Sequence, residues 1–532
     1  MVMAEHGAHS PVSGEETDRP RTDRVVFGAT AALVLGFLAW GITSPDTLGS
    51  AAEAALAWSV DDIGWAFVLA ATGFVLFVLW LAVSRCGAIP LGRDGERPEF
   101  HTLSWITMMF SAGMGVGLMF FGMAEPLSHY VAPPPGTVEP GSDAAVEISL
   151  ATSLFHWTLH PWAIYGVVGL TIAYGSFRRG RAQLISAAFV PLLGERTAGG
   201  PLGKVIDVLA LFATLFGSAA SLGIGALQIR SGMQAAGWLG DVGYTVLVLI
   251  IVVLVVCFVA SAVSGITRGI QWLSNINMAL AAVLAVFVFV VGPTVLVLNL
   301  LPTAIGYYVR DFAEMAARSG WNGGDAIDDW LGSWTIFYWA WWISWAPFVG
   351  TFLARISRGR TIRQFVGGAM LVPSGVSVVW FVTLGGSAIG LQRSGVDVAA
   401  AGDEDAQTFA VIDALPLSEV TTVLVVVLVA IFCITGASAS VVMGKFSQRG
   451  SLSPRTWVIV FWGIATGATA ATMLVSGGTQ GLEGVQNLTF LASVPFAVVM
   501  VLMCVSLYRD LRTDPLLRPA GDETEPGGAL DR

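Results

Sequence analysis

Five tryptophans fall within twelve residues of this chain, Trp334, Trp339, Trp341, Trp342 and Trp345, with Pro347 just beyond them. A second aromatic group, Phe155, Trp157, Trp162 and Tyr165, is interleaved with His156, His160 and Pro161. On a helix Trp157, Trp162 and Tyr165 project at about 0°, 140° and 80°, so one face is expected to carry all three rings. A ring face attracts cations, and a quaternary ammonium suits it because it has no N–H to hydrogen-bond. Each desolvated contact is worth about 2 kcal/mol. Four rings therefore supply much of the roughly 8 kcal/mol that micromolar binding requires. An interfacial belt accounts for Trp334 and Trp339, early in their segment, but not for Trp341, Trp342 and Trp345. A lone tryptophan is ordinarily packing; two clusters on separate segments point to a site.

Other side chains with chemistry to offer are few. His156 and His160 form an i, i+4 pair, but no carboxylate, cysteine or further histidine accompanies them on their segment, which falls short of a metal or haem enzyme. Glu125 and Asp207 lie near the ends of apolar segments, so the mid-segment inventory is too bare for a proton relay. Cys86, Cys257, Cys433 and Cys504 stand singly and read as packing. Lys204 and Lys445 are the only lysines, and no basic run could track a phosphate backbone, so no nucleic-acid partner is expected.

The elements that hold the rings follow from composition. Of the 532 residues, 55% are hydrophobic and 12% charged, and the mean hydropathy is +0.72. Soluble domains are about one quarter charged, so an all-α integral membrane protein is expected. Crossing a core about 30 Å thick takes about 20 apolar residues. Twelve such stretches predict twelve transmembrane helices: 25–43, 64–84, 103–125, 148–174, 205–229, 243–263, 270–292, 334–354, 365–391, 419–443, 455–476 and 485–507. Residues 1–24 are polar and too acidic for a cleavable signal, and read as a cytoplasmic tail. Residues 293–310, with Asn299, Pro302 and Arg310, suit an amphipathic helix at the interface. Residues 508–532, rich in acids and broken by Pro515, Pro519 and Pro526, read as a short acidic cytoplasmic tail. With both termini inside, only Arg230, Arg310, Arg318 and Arg393 of the 27 lysines and arginines fall outside, which is the positive-inside bias. The outer loops are acidic instead, as in GGDAIDD at 323–329 and AGDEDAQ at 401–407.

Two stretches are irregular. Gly113, Gly115 and Gly117 alternate within 103–125; each disfavours helix by about 1 kcal/mol relative to alanine, and residues two apart cannot share a packing face. Unwinding is predicted there, at membrane depth, where irregular backbone lines a cavity. Pro347 marks 334–354 as the second.

The run WAWWISWAPFVGTFLARISRGRTIR at 339–363, with GMGVG at 113–117 and AEPLSHY at 124–130, resembles the betaine/carnitine/choline transporter family over about residues 25–507. The resemblance implies a LeuT-type core of two inverted five-helix repeats, 103–292 (spans three to seven) and 334–507 (spans eight to twelve), preceded by two peripheral transmembrane helices at 25–84. Members are often homotrimers. It implies an aromatic box of Trp157, Trp162, Tyr165 and Trp342 around a trimethylammonium group. Trp345 would offer its indole N–H to a substrate carboxylate, near backbone N–H groups of Ala112, Gly113 and Met114, while Trp341 would line the cytoplasmic exit. Choline carriers tend to have aspartate at the position of Gly117, so glycine here implies a zwitterion such as glycine betaine. Sodium is the usual coupling ion. One implied site uses carbonyls of Ser111, Met114 and Phe432 with the Thr435 hydroxyl, although Gly436 and Ser438 replace a common serine and aspartate; a second uses Thr214 and Ser218 near Phe348. The expected activity is sodium-coupled uptake of a compatible solute across the plasma membrane by alternating access, with no cofactor beyond the ion. Proton-coupled transport or ion-independent exchange of choline- or carnitine-type substrates is the alternative. Arg355 to Arg363 read as positive-inside loop residues.

Overall fold

The computed structural model describes residues 21–517 apart from 114, 241, 264–266, 437 and 478–480. Among these the chain is helical, with one isolated antiparallel bridge, Pro90 to Thr361. The longer helices are α1 (Arg24–Thr43), α2 (Pro45–Val83), α3 (Thr102–Gly113), α4 (Val116–Val131), α5 (Asp143–Trp157), α6 (Leu159–Ala173), α7 (Pro201–Ala235), α8 (Tyr244–Val263), α9 (Thr267–Val291), α10 (Thr294–Ala316), α11 (Phe337–Ile356), α12 (Val372–Arg393), α13 (Glu404–Asp413), α14 (Ser418–Gly436), α15 (Ala439–Ser447), α16 (Thr456–Ser476) and α17 (Gly481–Arg512). Asp23 caps α1 by accepting the Val25 and Val26 N–H groups, and Pro45 and Pro201 open α2 and α7, where a missing N–H costs nothing.

Among the described residues, 8 helical stretches are long and apolar enough to cross a membrane: α1, α2, α7, Trp272–Val291, Ile362–Arg393, Ser418–Ser447, α16 and α17. Of the other apolar segments, 103–125 is divided between α3 and α4, 148–174 between α5 and α6, 243–263 is α8 and 334–354 is α11, whose indoles lower its hydropathy.

The alternating glycines do interrupt the helix: α3 ends at Gly113 and α4 starts at Val116, with Gly115 extended at φ −126° and ψ −162°. The division of 148–174 is not visible in its apolar pattern. Thr158 adopts φ −113° and ψ −104°, and its hydroxyl donates to the Leu154 carbonyl at 2.6 Å and meets the Tyr308 hydroxyl at 2.8 Å, so the break is stabilised from α10. The expected break in 334–354 is absent. Helix α11 runs through Pro347 unbroken after a π-helical turn at Gly332–Ile336, while α14 ends at Gly436 and α15 starts at Ala439. Helix α10 extends to Ala316; Val297, Leu300, Ala304 and Tyr308 are buried on the side meeting α5 and α12, while Val295, Leu298 and Val309 are exposed. Helix α17 reaches Arg512, into the segment read as a tail.

Helix α7 is the central post, packed on α4, α11, α14, α16 and α17. The most extensive pairing is between α6 and α11. A Cβ on Gly350 would stand 2.6 Å from the Val168 Cβ, so the crossing distance itself requires glycine there.

One end of the bundle is stitched by arginines. Leu91 N–H donates to the Arg360 carbonyl and Gly359 N–H to the Leu91 carbonyl; Arg355 pairs with Glu99 (2.8 Å) and Arg358 with Glu96 (2.6 Å). The Arg360 guanidinium lies 3.9 Å from the Trp105 ring centre. After α6, Arg178 binds Asp514 (2.9 Å) and Arg179 and Arg181 bind Asp510 beyond and within the end of α17. Burial opposes the Asp514 charge, yet Arg178, the Leu516 N–H and the Tyr174 hydroxyl hold its carboxyl below the usual range. Arg355 likewise lowers Glu99.

Candidate functional site

Tyr338, Trp341, Trp342 and Trp345 recur at three- and four-residue spacing on α11 and so share its inward side. Trp342 is the hub. Its ring centre is 4.9 Å from Trp157, edge to face at 74°, 6.4 Å from Tyr165 at 80°, and 4.9 Å from Trp341, stacked at 13°. Trp162 stands 5.8 Å from Tyr165 at 87°. Trp157 terminates α5 while Trp162 and Tyr165 belong to α6, so the single-face geometry fails at Thr158; Trp157 and Tyr165 nonetheless both meet Trp342, and Trp162 reaches it only through Tyr165. None of the six residues Trp157, Trp162, Tyr165, Trp341, Trp342 and Trp345 is more than 7% exposed. Trp157, Tyr165 and Trp341 each contact Trp342, while Trp162 contacts Tyr165 and Trp345 contacts Phe348.

The indole N–H groups are engaged. Trp342 donates to the His156 carbonyl (3.2 Å), Trp341 to the Ser221 hydroxyl (3.2 Å) and Trp345 to the Gly217 carbonyl (2.7 Å). The Trp345 donor expected to face a carboxylate is therefore held by α7, whose backbone comes within its reach. A different donor set lies beside the rings. The first N–H groups of α4, on Val116 and Gly117, have no acceptor within their helix and sit at its positive end. A Cβ on Gly117 would meet Trp157 at 2.6 Å and Trp341 at 2.7 Å, so this helix start abuts two of the rings. The Tyr165 hydroxyl is buried without a partner.

At the indole nitrogen of Trp157 stands Glu125, which is 0% exposed. Its carboxylate accepts from Trp157 (2.6 Å), from the Tyr338 hydroxyl (2.6 Å) and meets His156 Nδ1 (2.7 Å). His156 Nε2 meets the Thr335 hydroxyl at 2.9 Å, and His129 Nε2 lies 3.5 Å from Glu125. A carboxylate and a further histidine thus do accompany His156, from the preceding segment rather than its own. His160 is separate, stacked on Trp339 at 4.4 Å.

Of the residues expected to bind sodium, Thr435 donates back to the Ile431 carbonyl (2.9 Å) at the end of α14, Phe432 is buried, and a Cβ on Gly436 would meet nothing within 4 Å. Ser111, Ala112 and Gly113 form the last turn of α3, and Met114 lies outside the described residues. On α7, Thr214 donates to the Ala210 carbonyl (2.7 Å), whereas the buried Ser218 hydroxyl has no partner. Ser218 borders a void of about 20 Å³ shared with Cys433, Ser440 and Thr466, near the size of one water. Phe348 faces from α11, 5.7 Å from Trp345.

Away from the arginine-stitched end, Glu53, Asp61, Asp325, Asp328, Asp329 and Glu483 line a cavity of about 580 Å³. Beside it a space of about 310 Å³ is bounded by Phe121, Trp334, Arg230 and Glu404.

Comparison with known proteins settles what such a bundle is. The profile of BCCT, the betaine/carnitine/choline family transporter, matches residues 25–516. The chain belongs to this transporter family. The betaine/ectoine transporter LcoP of Corynebacterium glutamicum is 44% identical over 93% of this chain and 78% of its own length. The glycine betaine transporter OpuD of Bacillus subtilis is 45% identical over 92% and 93% respectively. The ectoine/hydroxyectoine transporter of Virgibacillus pantothenticus is 36% identical over 91% and 96%. This family member is a multi-pass membrane transporter and not an enzyme.

In this transporter the residue that sequence reasoning missed is Glu125. Its place near the end of an apolar stretch kept it out of the mid-segment inventory, but α4 continues to Val131 and encloses it. The readable signal was Glu125 and His129 one turn apart, on either side of Pro126.

Proposed function

We propose that this transporter takes up a glycine betaine-like zwitterion across the plasma membrane by sodium-coupled symport with alternating access. The observation that supports the reading is the contact of Trp157 and Tyr165 with Trp342, and of Trp162 with Tyr165, beside the start of α4, which abuts Trp157. Ring faces serve the cationic head and free N–H groups at Val116 and Gly117 serve the carboxylate. The relatives named for betaine and ectoine support a compatible solute of this charge type. In this reading the twelve apolar segments cross as two inverted five-helix repeats behind two peripheral helices, both termini are cytoplasmic, and the chain works as a homotrimer in the bilayer. Substrate enters by parting Trp157 from Trp342. Sodium binds at Thr214 and Ser218, where the unpartnered Ser218 hydroxyl supports a site, and more weakly at Thr435.

The test is uptake of radiolabelled glycine betaine into proteoliposomes. An inward sodium gradient should give concentrative uptake that collapses in potassium, with choline a poor competitor. One charge crossing 100 mV releases about 2.3 kcal/mol, so two ions support roughly 10³-fold accumulation and one about 50-fold. Uptake indifferent to sodium but driven by a pH gradient would replace it with proton coupling, the second reading, which the buried Glu125 and His156 pair favours.

A further inference from the structure

Beside Trp157 stands a carboxylate that, among the described residues, has no arginine or lysine at ion-pair distance. Among the described residues the ion-pair partners of Glu125 are the imidazoles of His156 (2.7 Å) and His129 (3.5 Å), and a histidine is charged only when protonated. The other groups binding the carboxylate, Trp157 and Tyr338, are neutral donors. Of the charges on the surrounding elements, that of Arg318 reaches both His129 and His156. Helix α5 contributes His156 and α11 contributes Tyr338. The segment after α10 contributes Arg318, buried 5.7 Å from the Trp330 ring centre, with Asp311 and Glu314 acting on it. Helix α13 contributes Glu404, which acts on Tyr338. Helix α12 presents Phe381 to Trp157, and α7 meets α4 near Val116, at its far end.

The three side chains have ligand atoms within 4.8 Å of one another, a spacing open to a metal ion. The Glu125 to His156 contact of 2.7 Å argues against one. Two ligands of one tetrahedral zinc, each about 2.0 Å from it, stand roughly 3.3 Å apart; 2.7 Å is hydrogen-bond spacing. His129 is the unfinished member, fully buried, with no hydrogen-bond partner at either ring nitrogen and its Nε2 standing 3.5 Å from Glu125.

We infer that Glu125 is a specificity-determining counter-charge for the substrate's cationic head, acting through Trp157, and that proton uptake at His129 switches it off. The inference rests on the proposed box. A charge-assisted hydrogen bond polarises the donor indole toward its ring, the face that holds the ammonium. The carboxylate also reaches the head directly across a dry interior, where a unit charge one indole width away changes affinity by about tenfold or more. A proton on His129 makes the cluster neutral by pairing with the carboxylate, and the attraction falls.

The experiment measures, in proteoliposomes between about pH 5 and 8, the KM of glycine betaine and the inhibition constant of 3,3-dimethylbutanoate, in which carbon replaces the ammonium nitrogen. In the unaltered transporter the betaine KM should rise as the outer pH falls, while the constant for the isostere, whose head carries no charge, stays level. Glu125→Gln, which keeps an acceptor for Trp157, should raise the betaine KM about tenfold, flatten its pH profile and leave the isostere alone. His129→Asn should flatten the profile even if Glu125→Gln does not reach the membrane. A betaine KM that is pH-independent in the unaltered transporter, or a profile unchanged in His129→Asn, overturns the counter-charge; an equal loss of betaine and isostere in Glu125→Gln reduces Glu125 to packing. If the unaltered transporter takes up no betaine at all, it is the substrate reading that fails.

Discussion

Two parts of this transporter gather charge, and they do so by opposite means. Around Glu125 one carboxylate is held by an indole, a phenol and an imidazole inside a shell of rings. Around Asp510 and Asp514 the carboxylates are held by Arg178, Arg179 and Arg181, at the edge of the bundle. The first arrangement leaves a net charge that a ligand can feel. The second cancels charge on the spot, and its energy goes into tying the loop after α6 to the end of α17. Neutral donors around a buried charge suit recognition, and matched ions at the bundle's edge suit fastening.

The largest effect expected is at the hub of the rings. Trp342→Leu keeps apolar volume but removes contacts with Trp157, Tyr165 and Trp341, so betaine affinity should fall at least about tenfold, measured by uptake KM. Trp162→Leu, whose ring meets only Tyr165 among the box residues, should lose less. Equal losses would show that the box is centred elsewhere. Next comes Gly117→Asp. A carboxylate there was expected to admit choline, but its Cβ would press on Trp157 and Trp341 at 2.6 Å and 2.7 Å. Betaine uptake should therefore fall whether or not choline uptake appears. Retained betaine affinity would mean that the rings yield easily.

At the fastening end, Asp514→Asn should lower thermal stability by about 2 kcal/mol, a charged hydrogen-bond loss, without changing KM. Because the Asp514 carboxyl titrates below its ordinary range in the fold, its contribution is present above about pH 4 and lost as pH falls through the folded value. The melting temperature of the variant should thus drop less steeply in acid than that of the parent. A shift in betaine KM instead would join this end to the site. The smallest effect is at Gly436→Ser. Open space receives the side chain, and one added oxygen should lower the sodium concentration for half-maximal uptake about threefold, while Thr214→Ala raises it.

The contrast also marks what a sequence discloses. The tryptophan stripe on α11 and the alternating glycines before α4 were legible because each is a local pattern with a local cause. The partnership of Glu125 with His156, Trp157 and Tyr338 was not, since it joins three helices and none of its members is unusual within its own segment. The turn at Thr158 was hidden in an unbroken apolar run because Tyr308, far along the chain, helps to stabilise it. Arg355 and Arg358 were legible as positive charges and not as partners of Glu99 and Glu96.

The stacked indoles of Trp341 and Trp342, 4.9 Å apart and nearly parallel at 13°, share their lowest electronic excitation rather than absorbing as separate rings. A ligand that settles against Trp342 alters the energy of one partner and so unbalances the pair. The near-ultraviolet circular dichroism of the protein should therefore change on substrate binding in detergent, before any translocation, and the site carries its own optical reporter.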